Sequence, residues 1–261
     1  MVFLSRAIAV LILATASTNA APTDAASTTG GARKHSSNYA GGVIYGEDIV
    51  EVNADITIST CTVGLPRRDF NQYTSDGWIG LGAYARRGLI QAGVTCHVDV
   101  SSPATYSVWT EWAPDPPVFY NSTDLQPGDV IHARVVAHSK TSGATYLENR
   151  RTGEKFETSY TNQTNELNLG DVEWVTESQL EIGMFGPEGS LGARYTPWRF
   201  QNATYKTGDQ KIFSFDSSNP NAHLIDTILE DVQIATAYSN NSGSLEVAYT
   251  TPNNYTIPGL S

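Results

Sequence analysis

Two cysteines in 261 residues are too few for a disulfide framework, so the fold has to rest on a buried apolar core, which a chain of this length can build. No apolar run approaches the 18 or so residues that a membrane helix needs, so no membrane partner is expected. Bases are scarce, with 16 Lys and Arg against 27 Asp and Glu, and the net charge of -11 weighs against nucleic acid, whose phosphates call for a basic footprint. The five His lack spaced partners and there is no Gly-x-Ser-x-Gly elbow, which disfavours a Ser-His-Asp hydrolase. The His and Cys spacings also fit no metal site, so neither metal nor cofactor is expected. Amphipathic helical periodicity is nearly absent; only Ala222 to Asp231 hints at a helical turn.

Met1 to Ala20 has one basic residue, Arg6, then an apolar stretch and small residues at the end, as expected of a secretory signal peptide. Ala21 to Ser37 is small, polar and aperiodic. It reads as a disordered pro-segment or tail, with Arg33-Lys34 offering a basic site for trimming. Five acceptor patterns for N-glycosylation, at Asn121, Asn162, Asn202, Asn240 and Asn254, agree with export and should face solvent. Cys61 and Cys96 lie in strand-like runs; they either pair in an oxidising compartment or serve as small apolar side chains. The acidic, charge-poor composition suits solubility in an acidic medium.

From Asn38 onward the pattern is β. Short runs at Gly42–Tyr45, Ala54–Val63, Gly77–Leu81, Leu89–Val100, Thr105–Trp112, Val130–His138 and Ala144–Asn149 are separated by Gly, Pro, Asn and Asp. They continue at Lys155–Tyr160, Val172–Val175, Lys211–Phe215, Val232–Tyr238 and Ser244–Thr250. One all-β domain over residues 38–250 is expected, an antiparallel two-sheet sandwich, followed by a tail at 251–261.

Two of these strands carry chemistry. In Tyr106 to Trp112, alternation sends Ser107, Trp109 and Glu111 to the face opposite Tyr106, Val108, Thr110 and Trp112, so both faces hold aromatic bulk. One face then packs a core, and the other lines a groove or is an edge with a stray glutamate. In Asp171 to Glu177, Glu173, Val175 and Glu177 share a face, with Val172, Trp174 and Thr176 on the other. If Val172 and Trp174 pack inward, Glu173 points out of the core beside apolar neighbours, which tends to raise the pKa of an acid. A solvated strand glutamate is the plainer alternative.

Together these pieces resemble the glutamic peptidases of the eqolisin family, secreted fungal acid proteases. The resemblance runs through Ser37-Asn-Tyr-Ala-Gly-Gly-Val43, Gly77-Trp-Ile-Gly80, Leu89-Ile-Gln-Ala-Gly93 and Trp109-Thr-Glu-Trp-Ala-Pro-Asp115. It goes on through Gln126-Pro-Gly-Asp-Val-Ile131, Gly143 to Asn149 and Val172-Glu-Trp-Val175. It implies a β-sandwich of the glucanase-like jelly-roll type and a Gln/Glu catalytic dyad, which falls on Gln91 and Glu173. Glu173 would be the general base and Gln91 the amide that holds water and oxyanion. Trp78, Trp109 and Glu111 match groove residues that bind substrate. The expected activity is acid endopeptidase, acting as a monomer on protein and peptide substrates.

Three family aspartates are replaced, by Gly82, Thr95 and Ser107. Their loss bears on the pKa of Glu173 and leaves a second reading open, a catalytically impaired member that binds peptide or carbohydrate. A glycosidase built on Glu111 and Glu173 ranks lower, because sandwich glucanases use an acid-x-acid pair on one strand and none is expected here.

Overall fold

The computed structural model describes residues 31–64, 72–83, 88–120, 124–177, 192–229, 231–240 and 242–251. The expected signal peptide and C-terminal tail therefore lie outside the described residues, apart from Thr251. So do Asn121 and Asn254. Asn162, Asn202 and Asn240 are exposed.

The described residues form eighteen strands. In chain order they are β1 (Lys34–Ser36), β2 (Tyr39–Tyr45), β3 (Ile49–Thr57), β4 (Cys61–Thr62), β5 (Gln72–Leu81), β6 (Leu89–Asp99), β7 (Ser102–Ala113), β8 (Val118–Tyr120) and β9 (Val130–Ser139). Then follow β10 (Ser142–Asn149), β11 (Lys155–Tyr160), β12 (Asp171–Glu177), β13 (Arg194–Tyr195), β14 (Trp198–Thr207), β15 (Ile212–Ser214), β16 (Ala222–Leu229), β17 (Val232–Tyr238) and β18 (Ser244–Tyr249). A continuous ladder runs β11-β10-β9-β3-β14-β18-β17-β16-β2-β12-β5-β6-β7-β8, and β4 and β13 form a separate ribbon. The ladder folds on itself so that β3, β9 and β10 pack across β5 and β6. This is the expected all-β sandwich, with neighbouring strands along that ladder antiparallel.

The main core lies between the two halves. Val172 and Trp174 of β12, Ile79 and Leu81 of β5, Ile90, Ala92 and Val94 of β6, and Val108 and Trp112 of β7 all enter it. Trp174 donates to the Asn53 carbonyl at 3.0 Å and Trp198 to Ser75 Oγ at 3.0 Å, so these two core indole N–H groups are satisfied. Alternation then fixes the opposite parity, Glu173, Val175 and Glu177, on the other face of the same layer.

Several expectations require correction. Ala222 to Leu229 is strand β16, not a helical turn, because Ala222 and Ile225 are buried and His223 pairs with Val43 in the ladder. The run expected over Ala54–Val63 divides: Ile58 bonds to the backbone at Gly128 and Asp129, and Thr60 to Thr196, so the chain leaves the sheet between β3 and β4. Strand β14 carries no alternating pattern that sequence reasoning could follow, since a register shift between Gln201 and Thr204, with Asn202 at φ 51°, breaks the parity between Phe200 and Ala203. Lys34 to Ser36, inside the segment expected to be disordered, forms β1 in parallel pairing with β16. Arg33 secures it by donating to the buried Asp226 carboxylate at 2.5 Å and to the Ala237 carbonyl at 3.1 Å.

Cys61 and Cys96 are joined by a disulfide, with their Cα atoms 6.4 Å apart, tying β4 to β6. A cross-link over a sequence separation of 35 residues removes chain entropy from the unfolded state worth about 3–4 kcal/mol. Cys61→Ala/Cys96→Ala should therefore unfold at markedly lower denaturant than wild type. Equal midpoints for the oxidised wild type and the double variant would show that the bridge contributes nothing.

Candidate active site

The face of the layer turned away from the core is organised as cross-strand rows. Glu173 pairs with Val43 on one side and Gly80 on the other, Gly80 with Gln91, and Gln91 with Glu111. Directly paired residues share a face, so Val43, Glu173, Gly80, Gln91 and Glu111 form one line across β2, β12, β5, β6 and β7. Glu173 and Gln91 are thus two strand spacings apart, about 10 Å between Cα atoms, with a residue lacking a side chain between them. A Cβ at Gly80 would lie 3.2 Å from Gln91 Cβ and 3.0 Å from the Trp78 ring, so only glycine leaves the amide and the indole their places.

The adjacent row is Val175, Trp78, Gly93, Trp109 and Phe119. Trp78, Trp109 and Val175 make a small apolar cluster of their own, joined by Tyr39 and Leu89 and separate from the main core. The row beyond holds Glu177, Asp76, Thr95 and Ser107. The five residues expected at the site, Gln91, Glu173, Trp78, Trp109 and Glu111, therefore sit in two neighbouring rows of one sheet face.

Burial on this face is unusual for an outward surface. Glu173 is 1% exposed, Gln91 6% and Trp109 6%. Gln91 Oε1, Trp109 Nε1 and Thr95 Oγ1 are enclosed without a hydrogen-bond partner, while the Glu173 carboxyl, enclosed beside them, interacts with the Asp171 side chain and the Ala83 backbone. Native proteins rarely leave such groups unmatched, and their concentration here marks a place where water or a substrate completes them. Gln91 Nε2 donates a short hydrogen bond to Glu111 Oε2.

The acids have shifted affinities for protons. Burial holds the Glu173 carboxyl well above the ordinary 4.5, and the nearby Asp171 carboxylate adds to this. Burial pushes Glu111 up to about 7, opposed by the Gln91 hydrogen bond and reinforced by Glu177 and Asp115. Glu177 also rises to about 7 through burial and Asp76, although Trp78 Nε1 at 3.1 Å and Asn38 Nδ2 at 2.9 Å donate to it.

Sequence reasoning missed Asp171, Glu177, Asp76 and Asn38. The first two were recoverable, because Asp171, Glu173, Val175 and Glu177 share one parity in β12. Asp171-Val-Glu173 is in fact an acid-x-acid pair on one strand face, contrary to the expectation that none exists. Of the replaced family acids, Thr95 and Ser107 stand in the same row as Asp76 and Glu177, so carboxyls are present there on other strands. Ser107 Oγ lies 2.9 Å from His97 Nε2. Gly82 adopts φ 106°, and a Cβ there would meet the Gly88 carbonyl oxygen at 2.6 Å, so this backbone excludes an aspartate at that position. Among the described residues no group of three or more His, Cys, Asp or Glu is placed to hold a metal ion.

The site is thus a buried acid and a buried amide in one cross-strand row of a β-sandwich. Residues 37–249 match the Peptidase A4 family. The chain belongs to that family, the glutamic peptidases or eqolisins, and with it to the peptide hydrolases. It is 25% identical over 236 residues to aspergillopepsin-2 of Aspergillus niger, covering 83% of this chain and 78% of that protein. To scytalidopepsin B of Scytalidium lignicola it is 25% identical over 207 residues, covering 78% and 71%. The fold superposes on a crystal structure of scytalido-glutamic peptidase with a transition state analog inhibitor at a TM-score of 0.69 and 21% identity, covering 82% of this chain and 98% of that one.

The proton affinities predict how stability varies with pH. Glu111 and Glu177 hold protons more tightly folded, at about 7, than at the ordinary 4.5. Their contribution is complete below 4.5 and is lost as pH rises through 7. Glu51 behaves oppositely: burial would raise it, but Arg134, Asn53 and Lys206 pull it down to about 2, so its contribution is lost only in strong acid. The melting temperature should therefore peak in weak acid and decline from about pH 5 to 8, with Glu177→Gln flattening that decline. A melting temperature that climbs across this range would contradict the assignment.

Proposed function

We propose that the protein is a secreted endopeptidase that hydrolyses peptide bonds in weakly acidic medium through water activated by Glu173 and Gln91. The observation that carries this reading is the Glu173, Gly80, Gln91 row, in which a buried acid and a buried amide with an unmatched Oε1 flank a residue that has no side chain. Ionised Glu173 takes a proton from water as it attacks the scissile carbonyl, and later returns that proton to the leaving amine. An amide does not exchange protons near neutral pH, so Gln91 contributes a hydrogen bond to the developing oxyanion. Trp78 and Trp109, with Val175 and the half-exposed Phe119, form an apolar floor beside the reacting row for a substrate side chain. Because burial holds Glu173 protonated above the ordinary carboxyl range, activity rises with pH on the acid side as Glu173 ionises.

A second reading is supported by Gly82, Thr95 and Ser107, which leave three family acids absent: a member that binds peptide or carbohydrate without cleaving it. Incubation of purified protein with a denatured protein between about pH 3 and 7, a range that brackets carboxyl titration, separates the two. Peptidase action predicts new amino termini, insensitivity to chelators and serine-directed reagents, and a loss of about 10²- to 10⁴-fold in kcat for Glu173→Gln with the fold retained. Peptide binding with no cleavage at any pH, or cleavage of a β-glucan in place of protein, would replace the peptidase reading.

A further inference from the structure

Gln91 is held in an orientation that does not suit an oxyanion donor. Its Nε2 is committed to Glu111 Oε2, while its carbonyl Oε1, on the opposite arm of the planar amide, is buried without a partner. Glu111 is the direct cross-strand neighbour of Gln91, so no other side chain stands between them. An ionised carboxylate can only accept, and so it draws the amide N–H. A protonated carboxyl can donate its O–H, and the amide would then turn its carbonyl toward Glu111.

We propose that Glu111 is a positioning residue that works as a neutral carboxylic acid: protonated, it donates to Gln91 Oε1 and leaves the amide N–H groups facing the reacting row, and ionised, it reverses the amide. The inference rests on the reading of Gln91 and Glu173 as the reacting pair. In the reversed state the Gln91 carbonyl lone pairs face the developing oxyanion, and one donor is lost, which typically costs 10²- to 10³-fold in turnover.

The surroundings of Glu111 favour the neutral form. Burial first, and then the Glu177 carboxyl of β12 and the Asp115 carboxyl beyond the end of β7 within electrostatic reach, raise its proton affinity to about 7 against the opposing Gln91 hydrogen bond. Tyr160 of β11 lies within electrostatic reach, with Tyr120 of β8 beside it. No cation is among the groups that shift Glu111. The sign follows: Glu111 is neutral below about 7 and ionises above it, so its ionisation lowers activity as pH rises, whereas ionisation of Glu173 acts in the opposite direction.

The test compares pH profiles of kcat for wild type, Glu111→Gln and Glu111→Leu, with circular dichroism confirming the fold at each pH. Glu111→Gln keeps an N–H able to donate to Oε1 and does not ionise, so the decline above about pH 7 should disappear even if the maximum drops several-fold. Glu111→Leu, which can neither donate nor accept, should lose about 10²-fold or more at all pH values. A decline in Glu111→Gln with the same midpoint as wild type overturns the proposal, as does a Glu111→Leu enzyme with wild-type turnover. An activity-independent arm follows the Gln91 side-chain amide by ¹⁵N NMR, its signals assigned by their loss in Gln91→Glu. These signals should titrate near 7 in wild type and stay fixed in Glu111→Gln; signals that do not move in wild type refute the coupling. If wild type cleaves nothing, the peptidase reading falls, and the NMR titration alone decides whether Glu111 turns the amide.

Discussion

The register of β12 against β5 is the constraint on which the rest depends. Val172 and Trp174 are both fully buried in the main core, and the Trp174 indole is fixed to the Asn53 carbonyl on the opposite half of the sandwich. Because side chains alternate strictly, committing those two residues inward commits Glu173, Val175 and Glu177 outward. Pairing with Gly80 then places Glu173 in line with Gln91 and Glu111. A slip of one residue would bury the acids in the core and leave Trp174 on the opposite face, so the same apolar burial that stabilises the sandwich also aligns Glu173 with Gln91 and Glu111.

How much of this was legible in the sequence differs from element to element. The strict alternation of Tyr106 to Trp112 and of Asp171 to Glu177 assigns each side chain to its observed face, because both strands have one apolar side and one mixed side. Strand β14 was hidden by its register shift at Asn202, where two consecutive residues fall out of phase. The first half of β5 was hidden for another reason: Ser75 and Asp76 read as turn residues but are buried, Ser75 as the acceptor for the Trp198 indole. Strand β16 was misread because burial by β2 and β1 outweighs the local preference of the segment. That Glu173 and Gln91 converge came only from the family likeness. Nothing local to either residue reveals that a single glycine on a third strand lies between them.

The acids of this face come from β5, β7 and β12. Gly82, Thr95 and Ser107, where the resemblance led us to expect acids, carry none, and the backbone at Gly82 cannot accept one. Asp171, Asp76 and Glu177 supply them from β12 and β5, two of them in the row that Thr95 and Ser107 occupy. Buried acids that share a face keep one another protonated. The arrangement is consequently most comfortable where solvent protons are plentiful, and the low content of bases elsewhere spares the chain a large positive charge under the same conditions.

The two ends of the ladder bear on the hazards of handling unfolded chains. The two terminal strands of the ladder, β8 and β11, lie against each other, with Tyr120 and Phe156 ring centroids 4.9 Å apart and Tyr120 hydrogen-bonded to Thr158. An open, flat sheet margin presents unpaired amides and carbonyls on which an extended polypeptide can add as a further strand. A protein that works on extended polypeptides meets that hazard constantly. The side chains that join β8 to β11 leave the outer backbone edges of both strands without a ladder partner among the described residues, so these two margins are where a further extended strand could add.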